Sequence, residues 1–251
     1  MDWITAVFSP TGGTARVAEA IVRGGKGEVR KIDLSAPTAA ETVGEGRVLL
    51  AAVPVYGGRV PAVALERLAA LKGAGGPAVA VAVYGNRAYE DALLELKDAL
   101  ERGGFRVAAA GAFVAEHSII RSIAAGRPDG DDLRKAEEFG ARVAEKLAGP
   151  ADGWDSPQVP GNPEYKPLSG PAPHPVANGD CVKCGLCASR CPVGAIPTEA
   201  PGTTGDACIN CMRCVAICPE RARSQPAAVL AAVRAKLEAL ATEPRQPEFY
   251  L

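Results

Sequence analysis

The sequence predicts a doubly wound α/β sheet followed by a small cysteine-rich module, and three observations carry that expectation. Short apolar, β-branched runs alternate with amphipathic stretches over residues 1–149, the texture of strands and helices in a parallel sheet. Eight prolines crowd residues 150–177, which suits an extended connector with little helix. All eight cysteines fall between Cys181 and Cys218. The expected divisions are therefore 1–149 for the sheet domain, 150–177 for the connector and 178–251 for the cysteine module with a C-terminal helix.

Within the first division, residues 3–8 read as a buried strand, and a glycine-containing turn over 9–13 leads into a helix near 14–24. A weaker strand follows over 28–32, then a clear buried one over 47–53. A helix starts near Pro61, where a first-turn proline is tolerated. Another apolar strand covers 78–83, and a helix near 88–102 mixes Leu93, Leu94, Leu96 and Leu100 with charged residues. Residues 105–115 give the fifth strand and 131–147 the last helix. Five strands joined through helices imply a parallel sheet with right-handed crossovers, covered on both faces. Such sheets bind ligands beyond the carboxyl ends of the strands, where strand order reverses.

Composition narrows the function. With 47% hydrophobic and 23% charged residues the 251-residue chain is of ordinary globular type, and its net charge of −1 suggests neither nucleic acid nor an anionic membrane as partner. No apolar run approaches the roughly 18–20 residues of a bilayer span, and the first residues lack the pattern of a signal peptide. The expectation is a cytoplasmic protein. In a reducing cytosol, cysteines crowded into one segment point to metal ligation and not to disulfides.

The cysteines form two groups, Cys181, Cys184, Cys187, Cys191 and Cys208, Cys211, Cys214, Cys218, each followed by proline. Both read C-x-x-C-x-x-C-x-x-x-C-P, and the second copy lies 27 positions after the first. Three cysteines at steps of three let thiolates converge on one iron–sulfur cube while backbone N–H groups turn toward sulfur. Structural zinc usually takes two separated C-x-x-C pairs, which this spacing does not match. Two 4Fe–4S clusters are expected. Over about residues 178–224 the segment resembles the bacterial two-cluster ferredoxins. The resemblance implies crossed ligation, with Cys181, Cys184, Cys187 and Cys218 on one cluster and Cys208, Cys211, Cys214 and Cys191 on the other. Metal binding would then supply much of the module's folding free energy.

The first strand–helix turn, Ser9-Pro10-Thr11-Gly12-Gly13-Thr14, offers hydroxyls and glycine-exposed N–H groups at a helix N-terminus, a setting suited to phosphate. It has neither the lysine of a nucleotide-hydrolysing loop nor G-x-G-x-x-G. It resembles the S/T-x-T-G-x-T phosphate loop of flavodoxins, which implies FMN bound through Ser9, Thr11, Gly12, Gly13 and Thr14. By the same resemblance, loops after the third and fourth strands sandwich the flavin ring. Tyr56, Gly57 and Gly58 would come from one, and Tyr84, Gly85, Asn86 and Tyr89 from the other, with a tyrosine stacking and the glycines admitting close backbone. Flavodoxins are typically very acidic, whereas residues 1–149 hold 19 acidic and 19 basic residues. Arg59 and Arg87 in the ring loops are therefore expected to ease formation of an anionic reduced flavin.

His117, after the fifth strand, could approach the flavin edge but is expected to be solvated or structurally hydrogen-bonded, and His174, in the connector, to be exposed. Residues 227–240 place Val229, Leu230, Val233, Leu237 and Leu240 on one helical face, read as a packing helix, and 244–251 as a tail that docks or frays. No acid–base pair or nucleophile set is recognisable. The whole resembles the flavodoxin–ferredoxin fusion proteins of anaerobic bacteria and archaea. That implies an electron carrier linking FMN, two 4Fe–4S clusters and a redox partner protein, with a flavin-dependent oxidoreductase as the alternative.

Overall fold

The computed structural model describes residues 1–44, 46–168 and 173–251, so Pro171 of the expected connector lies outside them, as does the side chain of Asp152. The sheet domain runs β1 (Asp2–Val7), α1 (Gly13–Gly25), β2 (Val29–Asp33), β3 (Glu41–Thr42), β4 (Arg47–Pro54), α2 (Ala62–Leu68), β5 (Leu71–Lys72), β6 (Pro77–Tyr84), α3 (Ala92–Arg102), β7 (Arg106–Val114) and α4 (Gly130–Ala148). Beyond a 3₁₀ turn at Ala151–Gly153 come β8 (Val176–Ala177), α5 (Leu186–Ser189), α6 (Arg213–Ala216), β9 (Arg223–Ser224), α7 (Ala227–Leu240) and β10 (Glu248–Tyr250).

Strands β2, β1, β4, β6 and β7 lie side by side and parallel. Renumbered as five, this is the flavodoxin-like order 2-1-3-4-5. Alternation along β4 explains why both faces need cover. Leu49, Ala51 and Val53 enter one core, with Leu93 and Leu96 of α3. Val48, Leu50 and Ala52 enter the other, with Ile21 of α1 and Phe139 of α4. A central strand buried on both sides reads as a continuous apolar run, as this one does.

Three expectations need correction. The sheet has six strands, because β10 pairs antiparallel with β7, setting Glu248 against Ala112 and Tyr250 against Ala110. Its side-chain anchor is Phe249, whose ring lies 5.0 Å from Phe139 and 5.5 Å from Phe113 between centroids, so the tail docks as a strand. Helix α3 starts at Ala92, four residues later than expected, since Asn86 and Glu90 adopt left-handed φ values of 64° and 45°. The face expected to pack on 227–240 is only half-covered, and no residue of α7 is buried.

The connector lies along the sheet domain. The Asp91 carboxylate accepts the N–H groups of Asn162 at 2.9 Å and Lys166 at 2.8 Å, which hold its pKa below the usual range. Tyr165 donates to Asp98, and Arg106 stands over the Trp154 ring at 5.7 Å. A two-strand ladder, β8 against β9, closes the cysteine segment.

Helices α1 and α4 cross at glycine. A Cβ on Gly140 would sit 1.8 Å from the Ile21 carbonyl oxygen, and one on Gly24 1.8 Å from that of Glu137. Backbone has no rotamer to yield. Gly140→Ala is expected to destabilise the fold by about 1–3 kcal/mol, read as a lower midpoint in urea unfolding with an unchanged slope.

Candidate functional site

The turn after β1 tightens because Gly12 takes φ 93°, a conformation that favours glycine, and α1 begins at the next residue. Gly13 packs against the β7 loop, where an added Cβ would lie 3.0 Å from that of Ala115. Thr14 is buried. Beyond the carboxyl ends of β1, β4, β6 and β7 opens a cleft of about 960 Å³. Thr11, Gly12, Gly13, Thr14, Tyr56, Tyr84 and Gly85 line it. Its far wall is the cysteine segment, through Met212, Val215, Ala216 and Cys218.

The other candidates for flavin contact lie elsewhere. Ser9 turns its Oγ back to accept the Ala15 N–H at 2.9 Å and borders a separate, largely apolar cavity of about 600 Å³ beside β2. Gly57 and Gly58 are not in the cleft wall, and a Cβ on Gly58 would collide with Glu90 at 1.9 Å. Asn86 grips the C-terminal tail, donating to the Glu243 carbonyl at 3.0 Å and accepting from the Arg245 N–H at 2.8 Å. Tyr89 hydrogen-bonds Glu248 and Tyr250 at 2.8 Å each. Arg59 forks onto the buried Glu95, at 2.8 Å through Nε, and lies 4.9 Å over the Tyr165 ring. Arg87 pairs with Glu90. Neither arginine lines the cleft, so the expectation that they tune a flavin is withdrawn.

The cleft's cations are instead Arg16, Arg121, Arg127, Arg221 and Arg223. Arg121 pairs with Glu116, and Arg127 with Asp132. Arg16 lies in the first turn of α1 and Arg121 and Arg127 in the loop after β7, so the rule that ligands sit beyond strand ends could have flagged them. The last two arrive from the cysteine segment, which no local pattern reveals.

Titratable groups here are shaped by enclosure. Burial raises the Tyr84 hydroxyl to about 12. Tyr56 is half-buried overall, but its hydroxyl end is enclosed and faces Cys211, which together push it well above its usual value. His117 also lines the cleft. Its Nδ1 accepts the N–H groups of Ile119 at 3.2 Å and Ile120 at 3.1 Å, so the neutral ring carries its proton on Nε2. Burial, and then Arg87, lower its pKa. His174 is half-buried, contrary to expectation, with Nε2 3.8 Å from Asp206.

No disulfide joins the eight cysteines. Two small voids open among them. Cys181, Cys184, Cys187 and Cys218 border one, and Cys191, Cys208, Cys211 and Cys214 border the other. Backbone N–H groups point at sulfur, from Ala195 to Cys191 at 3.3 Å and from Asn210 to Cys208 at 3.4 Å. Among the described residues no three His, Cys, Asp or Glu side chains converge as one metal ion needs. Four thiols spread around a void instead suit an iron–sulfur cube, whose ligands sit at separate corners. Burial pushes the Cys211 thiol up to about 12, so iron would bind there by displacing a proton.

A 4Fe-4S binding domain family matches residues 175–196, the first cysteine group. No curated protein matches the chain. Among solved structures, a flavodoxin from the domain Archaea is similar over 59% of this chain and 100% of its own, at 16% identity and TM-score 0.40. The flavodoxin of Streptococcus pneumonia TIGR4 is similar over 58% and 97%, at 16% and 0.40. Two-electron reduced Megasphaera elsdenii flavodoxin is similar over 58% and 99%, at 14% and 0.38. No helix among the described residues is long and apolar enough to cross a membrane.

Two outcomes are expected. Arg59→Met strands Glu95, which is 3% exposed, and should cost about 3–5 kcal/mol of stability in chemical unfolding. For His117 the folded pKa lies below the ordinary 6.5, so the unfolded chain binds more protons just below that pH. Stability then falls as pH drops from 6.5 toward the folded value. His117→Gln should flatten that part of a urea-midpoint profile.

Proposed function

We propose that this chain is an electron-transfer protein that holds FMN in the strand-end cleft and two 4Fe–4S clusters on its eight cysteines, and exchanges electrons with a protein partner. The observation that carries the reading is Cys218, which borders both the cleft and one of the four-cysteine voids. FMN supplies one- and two-electron chemistry when bound, and each cluster one-electron chemistry.

The rest is the work of this chain's residues. The N–H groups of the 11–14 turn, at the positive end of α1, suit the phosphate. Tyr56 and Tyr84 wall the ring region, and Met212, Val215 and Ala216 close it from the cysteine side. The two voids support the crossed ligation expected from the repeat, so Cys191 and Cys218 tie the halves together. At the outer side Cys184 is exposed and Val182 is 64% exposed, a small apolar face by one void that a protein partner could meet.

The cleft's arginines favour one second reading, an oxidoreductase acting on a small anionic substrate. Saturable dependence of turnover on such an anion would support it. Fast one-electron exchange with an acceptor protein, without that dependence, supports the carrier.

Anaerobic reconstitution with iron, sulfide and FMN tests the main reading. About eight iron atoms per chain are expected, with one FMN. Riboflavin, lacking phosphate, should bind at least about tenfold more weakly, a loss of about 1.4 kcal/mol. Cys218→Ser should reduce iron toward about half. Sub-stoichiometric FMN after reconstitution, or iron unaffected by Cys218→Ser, counts against it.

A further inference from the structure

Arg223 is 3% exposed, and among the described residues its hydrogen-bond partners are backbone carbonyls, the Thr204 hydroxyl and the Cys187 sulfur. Nη2 donates to the carbonyls of Pro175 at 3.0 Å and Thr203 at 3.3 Å, and to the Thr204 hydroxyl. Nη1 donates to the Pro201 carbonyl and approaches Cys187 Sγ at 3.8 Å. Nε is buried with no partner. A charge enclosed by neutral dipoles is costly unless an opposite charge lies close. The nearest candidate is the sulfur of Cys187, in the first repeat.

The repeat sharpens this. Shifting by 27 positions carries Cys187 onto Cys214, Cys191 onto Cys218 and Ile196 onto Arg223. Ile196, 5% exposed, borders the void of Cys191, Cys208, Cys211 and Cys214. Arg223 borders the void of Cys181, Cys184, Cys187 and Cys218, and also the cleft. Two halves of equal ligation therefore differ by one buried positive charge.

Resting on the cluster reading above, we propose that Arg223 is a positioning residue that sets the two cluster sites apart in potential. Its charge offsets the negative charge of bound thiolates, and it offsets the additional electron of the reduced state more strongly on its own side. The site that contains Cys218, beside the cleft, is thereby made the easier one to reduce. The step involves one electron and no proton, and in the test the electron comes from dithionite.

The experiment is an EPR-monitored redox titration of the reconstituted full chain, wild type beside Arg223→Ile, Arg223→Gln and Arg223→Lys, after iron analysis of each. Wild type holding no iron would overturn the cluster reading itself, separately from this inference. With iron in place, Arg223→Ile and Arg223→Gln are expected to weaken reduction of one cluster at least tenfold, which is 59 mV for one electron, and of the other by less. Arg223→Lys should stay within threefold of wild type. Full iron with both potentials unchanged in the neutral variants, or an equal fall at both clusters, overturns the proposal. If the neutral variants fail to load, retention of iron by Arg223→Lys supports charge compensation. Loss from all three means that shape and not charge is what counts, and overturns it.

Discussion

The pairing of β10 with β7 is the interaction on which the arrangement of this molecule depends. Between the sheet and the last strand the cysteine segment also meets the domain directly, where Arg67 donates to the Pro192 carbonyl and Ile209 packs against the core. Through the β10–β7 pairing the segment is held at both ends by the same sheet. Asp91 and Asp98 take the incoming connector, while Asn86, Tyr89 and the Phe113–Phe139 pair take the outgoing tail. Between these two anchors the cysteine segment forms a wall of the strand-end cleft. The proposed relay would draw on that placement, because the distance between redox centres is part of what a protein contributes to electron transfer.

Much of this was legible in the sequence, for reasons of range. The strands of the parallel sheet are continuous apolar runs, and the helices between them amphipathic, so each announces itself over a few residues. The cysteine spacing is likewise local, and the structure sets four cysteines around each of two voids, Cys218 with the first three and Cys191 with the second three. Thr11, Gly12, Gly13 and Thr14 reach the cleft because a strand–turn–helix unit fixes its own geometry.

What failed was whatever depends on a distant partner. Arg59 sits in a loop that sequence alone placed near the ring, but Glu95 lies 36 positions on and claims it. Asn86 and Tyr89 look like loop residues free to meet a ligand, and their partners lie beyond residue 240. Arg223 is part of an otherwise ordinary stretch after the second C-P pair. Its burial among Pro175, Pro201 and Thr204 follows only from the closed β8–β9 ladder. Polar residues in loops are ambiguous because a hydrogen bond to a carboxylate and one to a cofactor use the same donors.

The order of synthesis gives the closing strand a further meaning. β7 is made before the cysteines and β10 after them. While the segment between them emerges, the outer N–H and C=O groups of β7 stay unpaired, an open edge that other chains can join. That edge closes only once residues 248–250 have been made and the intervening cysteine segment lets them reach β7. A chain stalled before its last residues would therefore present a sheet edge to its neighbours, far in sequence from the cysteines.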